Sequence, residues 1–162
     1  MSEIDRDLVV VRGSPAAIWD VIGDADALQR ILPGAESIVA TGPATFTGVL
    51  AAKIQFLTVR ADVRTSFHDQ DPPRHLRLQL DGRPRGLAGS FAVSIPFDLA
   101  PADGPAGPGT ATEVSYAVDL QVTGRLAAFG APLLRDTLRR QIAALVRNLD
   151  RELSTLSRSE SP

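Results

Sequence analysis

The sequence predicts an α+β fold of the helix-grip type, in which a curved antiparallel sheet of about seven strands wraps around one long C-terminal helix. Three observations lead to this fold class. Two short helical segments follow the first strand, segments of alternating apolar and polar residues fill the middle of the chain, and a long amphipathic helix closes it. A sheet with one apolar face has to be covered, and a helix of about 25 residues, roughly 37 Å long, is long enough to cover it.

The first strand and the two short helices have recognisable boundaries. The β-branched residues 9–11 predict the first strand. Ser14 offers an N-cap hydroxyl and Pro15 suits the first helical position, so the first short helix begins there and the second follows it. Pro33 disfavours helical geometry at the residue before it, and Gly34 tolerates a positive φ. These two residues therefore predict a sharp corner where the second helix ends and the sheet resumes.

Alternation predicts six further strands after this corner. It is clearest from residue 57 to residue 68, where Leu57 and Val59 share the apolar face, which we expect to be buried in the core, and His68 belongs to the polar face. Residues 100–111 are rich in Gly and Pro, and we expect them to form a flexible loop. The pattern in the middle of the chain therefore predicts a half-buried antiparallel sheet.

The C-terminal helix carries one continuous apolar face, because its apolar residues recur at intervals of four or three. They are Leu134, Leu138, Ile142, Leu145, Leu149, Leu153 and Leu156. We predict a single domain over residues 1–156 and a frayed tail over residues 157–162. A curved sheet that grips a helix leaves space that side chains do not fill, so we expect a cavity between them.

Composition excludes several classes of protein. The chain has 162 residues, enough to bury roughly 70% of the surface that the unfolded chain exposes, so one core can form without cross-links. It has no Cys, which excludes disulfides, thiolate catalysis and Cys-ligated metals and fits a reducing compartment. The N-terminus has no signal-peptide pattern, and no apolar run is long enough to span a membrane. We expect a cytoplasmic protein.

The charge pattern gives no general attraction to nucleic acid. The formal net charge is −2, and no basic stripe alternates with aromatic residues. The last helix carries more Arg than acidic residues, which is compatible with contact to an anionic bilayer or an acidic partner. A solvated outer helix face explains the same residues, so both interpretations stay open.

Four segments resemble one known family. They are "SPAAIWDVIGDADALQRILPGAESI", "DPPRHLRLQLDG", "GTATEVSYAVDLQVTGRLAAFG" and the closing helix, and together they set the register of nearly the whole chain. These segments resemble the CoxG-like family, named after the CoxG subunit of carbon monoxide dehydrogenase, in the START-like, polyketide-cyclase-like (SRPBCC) superfamily. The Trp19 helix followed by the Leu-Pro-Gly-Ala corner is the most specific part of the resemblance.

The resemblance implies a function and a set of partners. It implies an accessory protein to a molybdenum-containing carbon monoxide dehydrogenase or a related hydroxylase, which recruits the enzyme to the membrane or passes reducing equivalents to quinone. Peripheral contact at the inner face of the cell membrane would follow. The expected ligand is a hydrophobic, quinone-like or lipid molecule, with no covalent cofactor and no metal.

The predicted cavity takes its lining from the corner, the apolar strand faces, the segment "GRLAAFG" and the last helix. The predicted lining residues are Leu32, Phe46, Val59, Leu78, Phe91, Val93, Tyr116, Val118, Leu126, Phe129, Leu134, Leu138 and Ile142. Tyr116 is the polar group on the apolar face of the last strand, and its hydroxyl could meet a ligand carbonyl or be satisfied by backbone or water. The aromatic residues could equally be plain core.

The sequence offers few groups for catalysis. His68 and His75 fall on polar strand faces, and no nucleophile elbow or phosphate-binding loop is present. We therefore expect ligand binding without chemistry. The alternatives are a cyclase- or dehydratase-like enzyme, with Tyr116 as acid and a histidine as base, and an assembly factor whose interior is filled by side chains.

Overall fold

The computed structural model describes the backbone of residues 3–160 and the side chains of residues 5–155. Within this part of the chain, two short helices follow the first strand, and six strands, a 3-10 helix and a long helix come after them. In chain order the elements are β1 (Glu3–Val11), α1 (Pro15–Ile22), α2 (Ala25–Ile31), β2 (Ala35–Gly42), β3 (Thr45–Ile54), β4 (Leu57–Asp71), β5 (His75–Pro84), β6 (Gly89–Gly104), β7 (Gly107–Gly124), the 3-10 helix Arg125–Phe129 and α3 (Ala131–Glu160). The predicted fold class is confirmed.

The seven strands form one antiparallel sheet in the order β1-β7-β6-β5-β4-β3-β2. The last strand, β7, pairs with the first strand, β1. The two edge strands of the sheet are β1 and β2. Phe67, Leu78 and Ile95 lie directly opposite one another on β4, β5 and β6, and all three are buried. Rows of this kind form the inner face of the sheet, which α3 covers.

The corner between α2 and β2 is held by local chemistry. Gly34 has a φ of 73°, and its carbonyl oxygen accepts a hydrogen bond from the amide of Ala51 at 2.9 Å. A Cβ atom at Gly34 would collide with the carbonyl oxygen of Ala51. The corner therefore needs glycine for its positive φ and for its close approach to β3.

Two expectations from the sequence are wrong. Residues 100–111 are not a flexible loop, because β6 and β7 continue as a long hairpin with Ala102 paired to Ala111. Its tight end is stabilised by the hydroxyl of Thr110, which donates to the carbonyl of Gly107 at 2.6 Å. Leu57 is not in the core but 52% exposed, because it is the first residue of β4, directly after the hairpin turn.

The long helix α3 is attached to the rest of the molecule by its apolar face and by polar contacts. Its 30 residues place Leu134, Ile142 and Leu153 in the core. The Asn148 side chain also donates to the carbonyl of Ile31 at 3.1 Å. The helix extends to Glu160, beyond the predicted domain end at residue 156. The side chain of Leu156 and residues 161 and 162 lie outside the described part, so the frayed tail stays a prediction.

Candidate functional site

A cavity of about 180 Å³ lies between the inner face of the sheet and the N-terminal half of α3. Strands β3 to β7 supply one wall, and α3 supplies the opposite wall. The α2–β2 corner contributes Leu32 and Pro33, and the 3-10 helix contributes Leu126. The lining is almost entirely apolar. We call this space the main cavity.

Nine of the thirteen predicted lining residues border the main cavity: Leu32, Val59, Leu78, Phe91, Val93, Leu126, Leu134, Leu138 and Ile142. They come from the corner, from the strands β4, β5 and β6, from the 3-10 helix and from α3. The α2–β2 corner and the segment "GRLAAFG" therefore meet the same space. Whether these side chains bind a ligand stays a prediction.

Phe46 and Val118 do not line the main cavity. Phe46 lies on β3, where its ring packs edge-on against Phe67 with centroids 6.2 Å apart. Val118 has no exposed surface at all, because neighbouring side chains enclose it completely. Both residues are buried in the core, as alternation predicts, but a place on the inner face of the sheet does not guarantee an opening beside the side chain.

Tyr116 and Phe129 do not line it either. The Tyr116 ring packs against Phe97, with centroids 5.9 Å apart, near the edge strand β1. Burial and the nearby carboxylates of Asp7 and Asp5 raise the pKa of its phenol above the usual value. Phe129 lies at the end of the 3-10 helix, half-buried against the core. Tyr116 is therefore not the polar group that faces the main cavity.

The polar side chains on the cavity wall are Thr137 and Gln141, one helical turn apart on α3. The Thr137 hydroxyl already donates to the carbonyl of Leu133 at 2.9 Å. Gln141 is half-buried, and its carboxamide makes no hydrogen bond to any described residue. Gln141 is thus the polar side chain that remains available to a ligand.

Sequence reasoning missed Gln141 and much of β3. On α3, Thr137 and Gln141 directly precede Leu138 and Ile142 of the apolar face and point toward the same cavity. A prediction that counted the residues beside the apolar face as part of the buried side of the helix could have found them. On β3 the lining comes from Leu50 and Ile54 and from two small residues between them, Ala51 and Ala52. Small side chains in a strand that faces a helix leave space between the two, and this pattern in β3 could have indicated the cavity.

A second cavity of about 60 Å³ lies farther along α3, toward its C-terminal half. Its lining is wholly apolar and comes from β1, α1, α2, the inner face of the sheet and α3. It shares three wall residues with the main cavity, namely Leu32, Leu78 and Leu145. We call it the inner cavity.

The β3–β4 hairpin projects an apolar tip next to the main cavity. Ile54 and Val59 line that cavity from either side of the hairpin end. Between them, Gln55 adopts a φ of 57°, and the turn leaves Phe56 fully exposed. Leu57 beside it is half-exposed, so two apolar side chains meet solvent at this end of the fold. We call Phe56 and Leu57 the hairpin tip.

Both histidines lie on the outer face of the sheet, away from both cavities. The His68 ring is 2.8 Å from the Ser66 hydroxyl, and His75 Nδ1 is 2.8 Å from a carboxylate oxygen of Asp98. Among the described residues, no cluster of His, Cys, Asp and Glu is arranged to hold a metal ion. The same part of the chain contains no helix that is long and apolar enough to cross a membrane.

A family model described as the CoxG subunit of carbon monoxide dehydrogenase matches residues 9–154. The chain belongs to the CoxG family. No match was found among curated proteins. The family match covers the corner, the strands β2 to β7 and α3 as far as residue 154, and it includes every residue that lines the two cavities.

Solved structures are similar to this chain in fold. A conserved protein from Geobacillus kaustophilus superimposes with a TM-score of 0.81 at 19% identity, covering 96% of both chains. A START superfamily protein from Mycobacterium smegmatis gives 0.69 at 13% identity, covering 96% of this chain and 99% of the other. The Zhui aromatase/cyclase from a Streptomyces species gives 0.64 at 15% identity, covering 93% and 92%. At these identities the likeness establishes a START-like fold.

Proposed function

We propose that this CoxG-family protein carries a hydrophobic, quinone-like molecule in the main cavity and performs no chemistry on it. The observation that carries the proposal is the cavity of about 180 Å³, bounded by apolar side chains with only Thr137 and Gln141 as polar wall residues. A space lined in this way favours an apolar ligand, because burial of apolar surface is the main source of affinity there. A core filled by side chains, as in a pure assembly factor, would leave no such space.

The proposed partner is a carbon monoxide dehydrogenase-type molybdenum hydroxylase. Family membership supports this role, since the matching family is described as a subunit of carbon monoxide dehydrogenase. In this role the protein acts as an accessory that carries reducing equivalents between the hydroxylase and quinone, or that brings the enzyme to the membrane.

The hairpin tip supports loading at a membrane surface. Phe56 is fully exposed and Leu57 half-exposed, and the cation of Lys53 lies three residues before Phe56 on the same hairpin. An aromatic side chain near a lysine suits the interface between water and lipid, where the ring enters the headgroup layer and the cation stays in water. Since other residues of this hairpin line the main cavity, an apolar ligand would enter from this end without crossing water.

A cyclase-like enzyme is the alternative function, and it needs an acid and a base inside the cavity. His68 and His75 are on the outer face, and Tyr116 borders neither cavity. The raised pKa of Tyr116 keeps its phenol protonated, but a reacting group must lie within hydrogen-bond reach of the substrate. These placements favour carriage over catalysis.

Native mass spectrometry of the protein, isolated gently from its own host, tests the proposal. A retained apolar molecule of quinone or lipid mass is the expected result. Calorimetry of the delipidated protein with a soluble naphthoquinone should then give saturable binding, which Leu138→Phe should weaken because it fills the main cavity. A protein that retains no ligand and binds none of these molecules would contradict carriage and favour the assembly-factor alternative.

A further inference from the structure

The boundary between the two cavities consists of three leucines. Leu32 ends α2 at the corner, Leu78 lies in the middle of β5, and Leu145 lies on α3, so the three come from three different elements. Each of them borders both the main and the inner cavity. Leu32 and Leu78 are buried, whereas Leu145 is half-buried. We call these three residues the leucine partition.

The two cavities follow one another along the same direction of the fold. On β6, residues up to Ile95 line the main cavity, and Phe97 and Leu99 line the inner cavity. On α3, lining of the main cavity begins at Leu134 and lining of the inner cavity ends at Leu149. The helix rises about 22 Å along its axis between these two residues. The two spaces are therefore arranged end to end.

The main cavity alone is small for an organic ligand. Its volume of about 180 Å³ is below the range of roughly 300–1,000 Å³ that encloses a drug-sized molecule. A ligand larger than the main cavity therefore needs adjoining space. The nearest apolar space is the inner cavity, about 60 Å³, behind the leucine partition.

Leucines in this position can move without overpacking the core. A side chain in a close-packed interior is held by neighbours on all sides, and a new rotamer there causes clashes. Each partition leucine instead borders both cavities. When a partition leucine changes from one staggered rotamer to another, its side chain can move into one of the two cavities. The space that it leaves then connects the cavities, with little cost in free energy.

We propose that the leucine partition opens to join the two cavities, and that it selects a ligand composed of a compact head group and a linear apolar chain. This inference rests on the proposed carriage function and defines the ligand class for the same site. Gln141 lies on the wall of the main cavity, so the polar head group stays there. The inner cavity has no polar wall residue, so it receives the chain.

A chain-length series on the delipidated full chain tests the partition. The probes are naphthoquinones with methyl, propyl or hexyl side chains, and calorimetry measures their dissociation constants. The wild type should bind the longer probes more tightly, by about fourfold for each additional methylene that becomes buried, until the inner cavity is full.

Three matched substitutions on α3 separate the two spaces. Leu138 lines only the main cavity, Leu149 lines only the inner cavity and Leu145 lines both. Leu138→Phe should weaken all three probes. Leu149→Phe should leave the methyl probe within about twofold of wild type and remove most of the gain from methyl to propyl, whereas Leu145→Phe should weaken the methyl probe and also remove that gain. Equal losses for all probes in all three variants would overturn the partition.

A measurement on the wild type does not depend on the folding of these variants. Nuclear Overhauser contacts from the terminal methyl of the propyl chain should reach Val146 and Leu149, which line the inner cavity alone. Contacts restricted to residues of the main cavity would contradict the proposal. Tight binding of the methyl probe without any gain from longer chains would overturn the partition and leave carriage intact, whereas no binding of any probe would remove carriage itself.

Discussion

Arg12 holds the carboxylate of Asp150 through both its side chain and its backbone. The guanidinium Nη2 lies 2.9 Å from Oδ2, and the backbone amide of Arg12 donates to Oδ1 at 2.8 Å. This contact joins the end of β1 to α3. Two residues further along α3, Glu152 pairs with Arg30 at 2.7 Å, which joins α2 to the same helix. The C-terminal half of α3 is therefore fixed to two elements by charge-assisted hydrogen bonds.

The Arg12–Asp150 pair predicts a pH dependence of stability. Burial of Asp150 raises the pKa of its carboxyl, but the hydrogen bonds from Arg12 outweigh burial and leave the pKa lowered. A lowered folded-state pKa gives stability that is present above the unfolded pKa of about 3.9 and is lost as the pH falls through the folded-state pKa. Asp150→Asn should therefore cost about 1–2 kcal/mol at neutral pH and much less in acid.

Urea unfolding at neutral pH and below the unfolded pKa measures this difference. Asp136→Asn is the matched control on α3, because Asp136 is exposed and has no hydrogen bond or ion pair to a described residue. A cost for Asp150→Asn that did not shrink in acid would show that the stability does not come from the charged carboxylate.

Gly34→Ala should destabilise the fold more than the same change at Gly86. Both glycines have a φ of 73°, so both substitutions carry the same left-handed strain of about 1–2 kcal/mol. A methyl group at Gly86 meets open space, whereas at Gly34 it collides with the carbonyl of Ala51. We expect Gly34→Ala to cost at least about 2 kcal/mol more than Gly86→Ala in chemical unfolding. Equal costs would mean that the corner relaxes freely from β3.

Leu138→Ala and Leu153→Ala compare a cavity wall with a packed core on one helix. Leu153 is 2% exposed and lies against Gly13, where even a Cβ atom would come within 2.9 Å of it. Leu138 borders the main cavity and already lacks neighbours on one side. The loss should be about 4–5 kcal/mol at Leu153 and about 2 kcal/mol at Leu138, measured by urea unfolding of the delipidated protein. A larger loss at Leu138 would contradict an empty cavity.

Phe56→Ser should weaken the proposed membrane contact without changing stability. The side chain makes no buried contact, so the melting temperature should stay within about 2 °C of wild type. Co-sedimentation with liposomes should fall several-fold. Leu8→Ser on β1 is the control, since Leu8 is also about half-exposed but lies on the edge strand away from the hairpin tip. Equal loss in both variants would show that the hairpin tip is not the contact site.

Tyr116→Phe and Gln141→Leu distinguish two candidates for the polar contact with a ligand. Tyr116 borders neither cavity, so removal of its hydroxyl should change naphthoquinone affinity by less than about twofold. Gln141 lines the main cavity and its amide is unpaired among the described residues, so Gln141→Leu should weaken a carbonyl ligand about fivefold. The reverse order in calorimetric titrations would restore Tyr116 as the anchor.

The fold could be predicted from the sequence because each element repeats its pattern many times. The seam from Leu134 to Leu153 and the alternation around Phe67 each fix a face by several consecutive residues. The prediction for Leu57 is wrong because alternation gives the face of a strand but not whether other residues cover the first residue of that strand. The hairpin over residues 100–111 escapes prediction because Gly and Pro usually mark loops, whereas here they lie in two strands that pair with each other.

The cavity was harder to predict than the fold, for a physical reason. Whether a residue on the inner face touches a void depends on the curvature of the sheet and on the size of its neighbours in three dimensions. Val118 and Val93 have the same side chain and the same inward phase, yet Val118 is completely enclosed and Val93 faces the main cavity. Only the packing of adjacent strands against α3 separates the two cases.

An unfilled main cavity also has a consequence for the lifetime of the protein in the cell. At about 24 cal/mol per Å³, an empty space of about 180 Å³ costs about 4 kcal/mol relative to a filled core. A ligand that occupies it stabilises the native state by mass action and lowers the population of unfolded chains available to proteases. If the proposed carriage holds, we expect empty molecules to be degraded first, so that the cellular amount of the protein follows the supply of the ligand.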